Sequence, residues 1–226
     1  MNPKETLPRF DPGPFERLLA TPAYMLGAVK FGSFRLKLHE SFPDAPMSPF
    51  YVDLRILRRL PLIKRAAVTV YESLLKPLTF DLLSDVPTGA TPFVSSLSDR
   101  LEVGMISPRL DPKSYGAKAP VDGLLKQDAG KTAVLIDDVI TTADSKLKAL
   151  KILARSSITV RDVVVLIDRE QGGKESLEKA GFALHSAITV SRLLAFYQDQ
   201  GIITPETRSH TLEKLHQLNR FMSQIV

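Results

Sequence analysis

The sequence lacks cysteine altogether among its 226 residues. Disulfide bonds and thiolate metal sites are therefore excluded, and this composition fits a cytoplasmic protein. No apolar run approaches about 20 residues, so no membrane-spanning helix is expected. Residues 1–19 mix acids, bases and prolines, unlike a signal peptide. Internal repeats, low-complexity segments and linkers are also missing, which predicts one domain over residues 1–226.

The charge balance is modestly basic. The 30 lysines and arginines exceed the 25 aspartates and glutamates, which gives a formal net charge of +5. A basic excess is one sign of nucleic-acid binding, but a small polyphosphate substrate explains a modest excess equally well. Because no nucleic-acid-binding motif and no stripe of interleaved basic and aromatic residues is present, neither nucleic acid nor a membrane is expected as a partner.

Apolar periodicity predicts strands and helices that alternate along the chain. Strands are expected at residues 31–37, 48–55, 80–86, 103–107, 133–136, 161–167 and 182–186. Helices are expected at residues 14–30, 56–78, 91–101, 145–155, 174–180, 188–200 and 205–224, with breaks at Pro22 and Pro61. This alternation predicts an α/β fold with a mostly parallel central sheet. Its parts are a small hood over residues 1–55, a core over residues 56–200 and a C-terminal helix over residues 205–224.

The most informative stretch is KTAVLIDDVITTADS, residues 131–145. A buried strand leads into Asp137 and Asp138, and a hydroxyl-rich turn from Thr141 to Ser145 precedes a helix. Ligands of parallel α/β sheets bind at the carboxyl ends of the strands, and amides at a helix start suit a phosphate. Carboxylates accept hydrogen bonds from sugar hydroxyls, so the pattern predicts a site for a phosphorylated sugar. The alternative is a buried strand with a solvated acidic corner.

This stretch resembles the phosphoribosyl-pyrophosphate (PRPP) binding motif of type I phosphoribosyltransferases, except that the usual glycine is Ala143. Four more stretches are similar to the orotate phosphoribosyltransferases of that family, and the last of them looks most like the orotate transferase part of UMP synthase. They are FGSFRLK at residues 31–37, SPFYVDLR at residues 48–55, PRLDPKSYG at residues 108–116 and VVVLIDREQGGKESLEKAGFALHS at residues 163–186.

The resemblance implies the type I phosphoribosyltransferase fold and a reaction of de novo pyrimidine (UMP) biosynthesis. Orotate would displace pyrophosphate from the anomeric carbon of PRPP, which gives orotidine 5′-monophosphate. Magnesium is the implied cofactor, held mainly by substrate and water, so no protein ligand to the metal is implied. The loop at residues 108–120 would reach a neighbouring subunit, which implies a homodimer. An orotidylate decarboxylase is a further possible partner.

The resemblance also implies roles for individual residues. The catalytic residues would be Arg109, Lys113 and Asp138, with the two cations directed at the leaving pyrophosphate. The PRPP-binding residues would be Arg109, Lys113, Tyr115, Asp137, Asp138, Thr141, Thr142, Ala143, Asp144 and Ser145. The orotate-binding residues would be Lys37, Tyr51, Val52, Thr141 and Arg169.

Simpler roles compete with several of these assignments. Lys37 is also explained as a solvated residue at a strand edge, Tyr51 as a core residue and Arg169 as an ordinary ion-pair residue. The histidines form no metal-spaced group, so structural or surface roles are expected for His39, His185, His210 and His216.

The chain departs from the family pattern mainly where phosphate contacts are implied. Leu110 replaces a lysine, and the loss of one charge-assisted contact costs about 1.5–3 kcal/mol, roughly a ten- to hundredfold loss in rate. Asp85 lies where glycine is usual, Ala143 disfavours a left-handed backbone, and Asp144 brings negative charge towards a phosphate. These departures keep open a PRPP-binding relative with weak or no catalysis, acting as a regulatory or partner subunit, and a transferase for another base.

Overall fold

The computed structural model describes residues 11–111 and 119–225. The strands in these residues are β1 (Val29–Phe34), β2 (Ser48–Val52), β3 (Leu82–Asp85), β4 (Met105–Pro108), β5 (Val121–Asp122), β6 (Thr132–Ile140), β7 (Thr159–Asp168) and β8 (Ala183–Thr189). The α-helices are α1 (Thr21–Met25), α2 (Pro61–Leu75), α3 (Thr91–Leu101), α4 (Asp144–Arg155), α5 (Gly173–Lys179), α6 (Val190–Asp199) and α7 (Pro205–Ile225). Further helical turns are a π-helix at Glu16–Ala20 and 3₁₀ helices at Lys37–Glu40, Leu54–Arg59 and Lys126–Asp128.

The main sheet has the strand order β5-β4-β3-β6-β7-β8. Its pairs are parallel apart from β4 and β5, which run antiparallel. Strand β6 lies in the middle and continues past both aspartates to Ile140, which pairs with Asp168 of β7. This arrangement confirms the predicted α/β fold and parallel sheet, and it brings the carboxyl ends of β3, β6 and β7 to the same edge.

Alternate residues of the central strands enter two separate layers of the core. Val134 and Ile136 pack on one face with the hood and helices α2, α3 and α6, while Ala133 and Leu135 pack on the other face with α4 and α5. Because both faces are covered, the strands are almost continuously apolar rather than alternating, as expected for a parallel sheet between helices. The apolar run before Asp137 is therefore a buried central strand.

The hood contains the predicted antiparallel pair, β1 and β2, in which Val29 lies opposite Val52. Several boundaries differ from the prediction. Pro22 lies in the first turn of α1 and Pro61 begins α2, because the first turn of a helix does not need their missing amide donors. Lys37 begins a 3₁₀ helix instead of ending a strand. The two-residue strand β5 was not predicted, since such a short segment has no period.

None of the helices within residues 11–111 and 119–225 is long and apolar enough to cross a membrane. The division of the chain into hood, core and C-terminal helix stays a prediction.

Candidate active site

A cleft of about 380 Å³ opens where strands β3 and β6 end beneath the hood. The hood contributes the end of β2 and the 3₁₀ helix that follows, and β6 contributes the acidic pair. The residues that line the cleft are Val52, Asp53, Arg55, Val86, Pro87, Thr88, Gly89, Asp137, Asp138, Val139 and Ser145. Three separate parts of the sequence thus meet at the acidic pair, as predicted from the binding of ligands at the carboxyl ends of parallel strands.

Asp138 is the more accessible member of the acidic pair. It lies against the turn after β3, where a Cβ on Gly89 would meet the Asp138 Oδ2 atom at 3.0 Å. Burial, and then the charge of Asp137, raise the pKa of Asp138 to about 7. A carboxylate in this environment favours hydrogen-bond donors such as sugar hydroxyls, because they stabilise its charged form.

Asp137 is buried and forms an ion pair with Lys146 of α4. Its Oδ1 accepts a hydrogen bond from the Asp138 amide at 2.9 Å, and its carbonyl accepts one from the Tyr71 hydroxyl at 2.9 Å. Lys146 also donates to the Val139 carbonyl. No role in the site was predicted for Lys146 from the sequence. Its spacing was the available signal, because positions 146, 149, 150 and 153 form the buried stripe of α4.

The turn from Thr141 to Ser145 leads directly into α4, as predicted. Ala143 adopts a left-handed backbone conformation with φ 72°, which glycine adopts without steric strain. The Thr142 hydroxyl donates to Asp144 Oδ2 at 2.7 Å, and Asp144 is exposed in the first turn of the helix. An acidic group there is stabilised by the helix dipole, which explains how Asp144 is accommodated beside a turn suited to phosphate.

A second cleft, of about 450 Å³, lies along this turn and α4. Lys37 from the hood and Lys148 from α4 line it, and Leu110 lies in the same wall. The structure therefore brings Lys37 to the turn from Thr141 to Ser145, from a position more than 100 residues earlier in the sequence. Lys148 forms an exposed ion pair with Asp111 at 3.4 Å, so the cleft has basic groups even though Leu110 is uncharged.

Arg169 is buried beneath the hood, with 6% of its surface exposed. One guanidinium nitrogen donates to the Ser48 hydroxyl at 3.0 Å, and the guanidinium carbon lies 4.7 Å from the centre of the Phe50 ring. Burial lowers the pKa of Arg169 to about 10. Its Nε is buried and has no hydrogen-bond partner among the described residues, so this cation has an unused donor.

Tyr51 and Val52 lie side by side at the end of β2. The Tyr51 ring packs against Phe34 with ring centres 5.6 Å apart, while Val52 lines the first cleft. Successive residues of a strand point to opposite faces, which accounts for their different surroundings.

Arg109 forms a two-pronged ion pair with Asp122 of β5, in which Nε donates to Oδ2 at 2.8 Å. Hydrogen bonding to Asp122 raises the pKa of Arg109. Lys113 and Tyr115, the other predicted residues of this loop, lie outside the described residues. The structure thus shows Arg109 at the base of the loop, held by a carboxylate that the sequence pattern did not indicate.

Asp85 is completely buried at the end of β3 and accepts hydrogen bonds from Ser107 and Thr91. Burial raises the pKa of Asp85. Hydroxyl donors on neighbouring elements thus accommodate the carboxyl group where the family pattern has glycine.

The histidines have the structural or surface roles that were expected. His39 is buried against backbone groups, His185 contacts Asp162 at 2.8 Å, and His210 and His216 are exposed. Within the part of the chain that the structure describes, no cluster of three or more histidine, aspartate or glutamate side chains is arranged to hold a metal ion.

Residues 54–190 match the model of the phosphoribosyl transferase domain. The chain belongs to the phosphoribosyltransferase family. It is 34% identical over 191 residues to uridine 5′-monophosphate synthase of Bos taurus. The aligned residues cover 84% of this chain and 38% of that protein. It is 38% identical over 170 residues to orotate phosphoribosyltransferase of Pyrobaculum aerophilum. Here the aligned residues cover 75% of this chain and 84% of that protein.

Solved structures of this family share the fold. UMP synthase of Leishmania donovani is 30% identical with a TM-score of 0.77, over 90% of this chain and 42% of that one. Orotate phosphoribosyltransferase of Aeropyrum pernix is 27% identical with a TM-score of 0.66, over 81% of this chain and 99% of that one. The chain spans about two fifths of the length of the UMP synthases it matches. The resemblance seen in the sequence and the type I phosphoribosyltransferase fold are confirmed, while the roles of single residues stay predictions.

Proposed function

We propose that this chain is an orotate phosphoribosyltransferase, which converts orotate and PRPP to orotidine 5′-monophosphate and pyrophosphate in pyrimidine biosynthesis. The observation that carries the proposal is the position of a buried arginine, Arg169. It lies at the same edge of the sheet as the acidic pair and the turn from Thr141 to Ser145. The names of the relatives, orotate phosphoribosyltransferase and UMP synthase, support the same substrate.

The sugar phosphate would occupy the space between the acidic pair and the start of α4. Asp138 would accept hydrogen bonds from ribose hydroxyls, and the turn from Thr141 to Ser145 would hold the 5′-phosphate through amides and hydroxyls. The first cleft, at about 380 Å³, has the size range of small-molecule sites. Its position at the end of parallel strands supports this placement.

Orotate carries a carboxylate on a planar ring, which suits Arg169. A guanidinium binds such a group through parallel hydrogen bonds, and burial strengthens them because water competes less. The end of β2, with Tyr51 and Val52, would bracket the ring from the hood side. Thr141 would contact the ring from the sheet edge.

In the proposed reaction, the ring nitrogen of orotate forms a bond to the anomeric carbon of PRPP as the bond to the pyrophosphate oxygen breaks. Positive charge spreads over the sugar in the transition state while negative charge builds on pyrophosphate. Cations near the leaving group therefore lower the barrier. Lys37, Arg109 and Lys113 would supply this charge, and Asp138 would fix the sugar through its hydroxyls.

Magnesium belongs to this proposal as a partner of the substrate. The first cleft is lined by aspartates and hydroxyl residues, with Arg55 beside them. The oxygen atoms of the aspartates and hydroxyls are compatible with magnesium, which binds phosphates and keeps several waters. We assign it no protein ligand. It would neutralise charge on the pyrophosphate of the bound substrate.

The expected homodimer, a partnership with an orotidylate decarboxylase and the cytoplasmic location are further parts of the proposal. The match to UMP synthases supports the partnership, because the chain covers only about two fifths of those proteins.

A PRPP-binding relative with weak catalysis is the second candidate. Leu110 in the wall of the second cleft favours it, because that wall has no cation where the family has lysine. Calorimetric titration with magnesium and PRPP, followed by turnover assays with orotate, uracil and adenine, separates the candidates. Turnover with orotate alone supports the first proposal. PRPP binding without turnover supports the second, and turnover with another base contradicts the choice of orotate.

A further inference from the structure

Lys146 is a buried cation for which the proposed reaction has no direct use. It lies on α4 with 4% of its surface exposed, and its ammonium group donates to Asp137 Oδ2 and to the Val139 carbonyl. A lysine is almost never fully buried without a partner, because removing its charge from water is costly. The partner here is one of the two aspartates expected to bind the sugar.

The hydrogen bonds of Asp137 are already made within the protein. Oδ2 faces Lys146, and Oδ1 accepts the Asp138 amide at 2.9 Å. Its side chain is only 8% exposed, although it contributes to the wall of the first cleft. The Tyr71 hydroxyl fixes its backbone carbonyl at 2.9 Å. A ribose hydroxyl approaching Asp137 would have to compete with a charged donor.

Asp138 has the opposite surroundings. It is half-buried, lines the same cleft and lies against Gly89, whose missing side chain leaves room for the carboxylate. We propose that Lys146 is a positioning residue that holds the Asp137 side chain inside the protein at the end of β6. Asp138 is then the carboxylate that is presented to the sugar. This inference rests on the proposed function, and it assigns to Asp138 alone a role that the family resemblance implied for both aspartates.

Lys146 also affects the charge of Asp138. Burial and the charge of Asp137 raise the pKa of Asp138, and Lys146 opposes them. Other charged or titratable groups near the acidic pair are Asp53 and Arg55 after β2, Tyr71 on α2 and Asp85 on β3. Without Lys146, the negative charge of Asp137 would act on Asp138 with less opposition, so Asp138 would hold its proton to a higher pH.

The first test removes the ion pair as a unit. Asp137→Asn with Lys146→Met deletes both charges while nearly keeping the volumes, which avoids an unpaired buried charge. Magnesium-PRPP affinity, measured by calorimetry, should stay within about threefold of the parent protein, whereas Asp138→Asn should lose roughly ten- to hundredfold. Equal losses in the two proteins would show that Asp137 also binds the sugar and would overturn the inference.

The second test measures Asp138 directly. Carboxyl ¹³C chemical shifts of Asp138 are followed against pH in the parent protein, Lys146→Met and Lys146→Arg. The titration midpoint should rise by roughly 1–3 pH units in the methionine variant and return towards the parent value in the arginine variant. An unchanged midpoint in a folded Lys146→Met protein would contradict the role of Lys146. If Lys146→Met does not fold, Asp137→Asn is compared with the double variant: the added Lys146→Met should raise the Asp138 midpoint, and equal midpoints would contradict the role of Lys146.

These readouts separate the inference from the proposed function. Failure of the parent protein to bind PRPP would count against the proposed function. Asp138 would then have no sugar to bind. A normal PRPP affinity with no shift of the Asp138 midpoint would count against Lys146 alone.

Discussion

Arg169 of the sheet lies with its guanidinium 4.7 Å from the ring centre of Phe50 in the hood. This contact, together with the hydrogen bond to Ser48, holds a buried cation between two parts of the chain that are more than 100 residues apart. The hood is thereby connected to the end of β7, where the proposed base-binding site lies. Arg169 is thus held in place before any ligand arrives.

Arg169→Ala should raise the KM for orotate roughly ten- to hundredfold, because a charge-assisted contact to the ligand is lost. The KM for PRPP should change much less. Steady-state kinetics with each substrate varied in turn measures the difference. Arg161→Ala is the matched control, since Arg161 is exposed near the start of β7, the strand that ends just before Arg169. Equal effects on both substrates would show that Arg169 supports the fold and does not select the base.

Ala143→Gly should increase the free energy of unfolding by about 0.5–1 kcal/mol, because glycine adopts the left-handed conformation at φ 72° without steric strain. Chemical denaturation measures this change. In Ala154→Gly the glycine replaces an exposed alanine within the same helix, and it should instead cost about 1 kcal/mol. Destabilisation of both variants to the same extent would show that the turn does not strain Ala143.

Leu110→Lys should raise kcat/KM for PRPP roughly tenfold, because it adds a cation to the wall of the cleft that follows the phosphate turn. Leu125→Lys is the control: Leu125 is an exposed leucine that lies before β6, at the opposite end of that strand from the acidic pair, whereas Leu110 is half-buried. An unchanged kcat/KM in Leu110→Lys, with the protein intact, would mean that this position does not face the reacting phosphates.

Asp138→Asn should stabilise the protein increasingly as the pH rises from about 4 to 7. The pKa of Asp138 is raised from 3.8 to about 7 in the folded state. The folded protein therefore binds an extra proton in this range, and its stability falls as the pH rises through the folded pKa. Denaturation of both proteins across this range gives the difference, which should level off above pH 7. A difference that does not vary with pH would contradict the raised pKa.

Much of this site could be predicted because its residues lie in one continuous stretch. The apolar run before Asp137 and the turn from Thr141 to Ser145 together specify a strand, a loop and a helix start. The left-handed conformation of Ala143 was not predicted, because alanine disfavours it. Local sequence therefore predicts the part of the site proposed to bind the sugar phosphate.

The missed features all depend on contacts between distant elements. Asp122 binds Arg109 only because β5 pairs with β4, and a two-residue strand leaves no pattern in the sequence. Lys146 resembles any helix lysine until the buried stripe of α4 is known. Lys37 was not missed, but only the family resemblance indicated it, since it reaches the turn from Thr141 to Ser145 through the fold of the hood. Such partnerships follow from the packing of the elements rather than from their individual propensities.

The central claim is that this chain transfers a phosphoribosyl group to orotate. The most direct measurement follows orotate absorbance and pyrophosphate release together, with purified protein, PRPP and magnesium. Both should change in equal amounts, and only when protein and both substrates are present. Pyrophosphate release that does not depend on orotate, or no loss of orotate while PRPP binds, would contradict the claim.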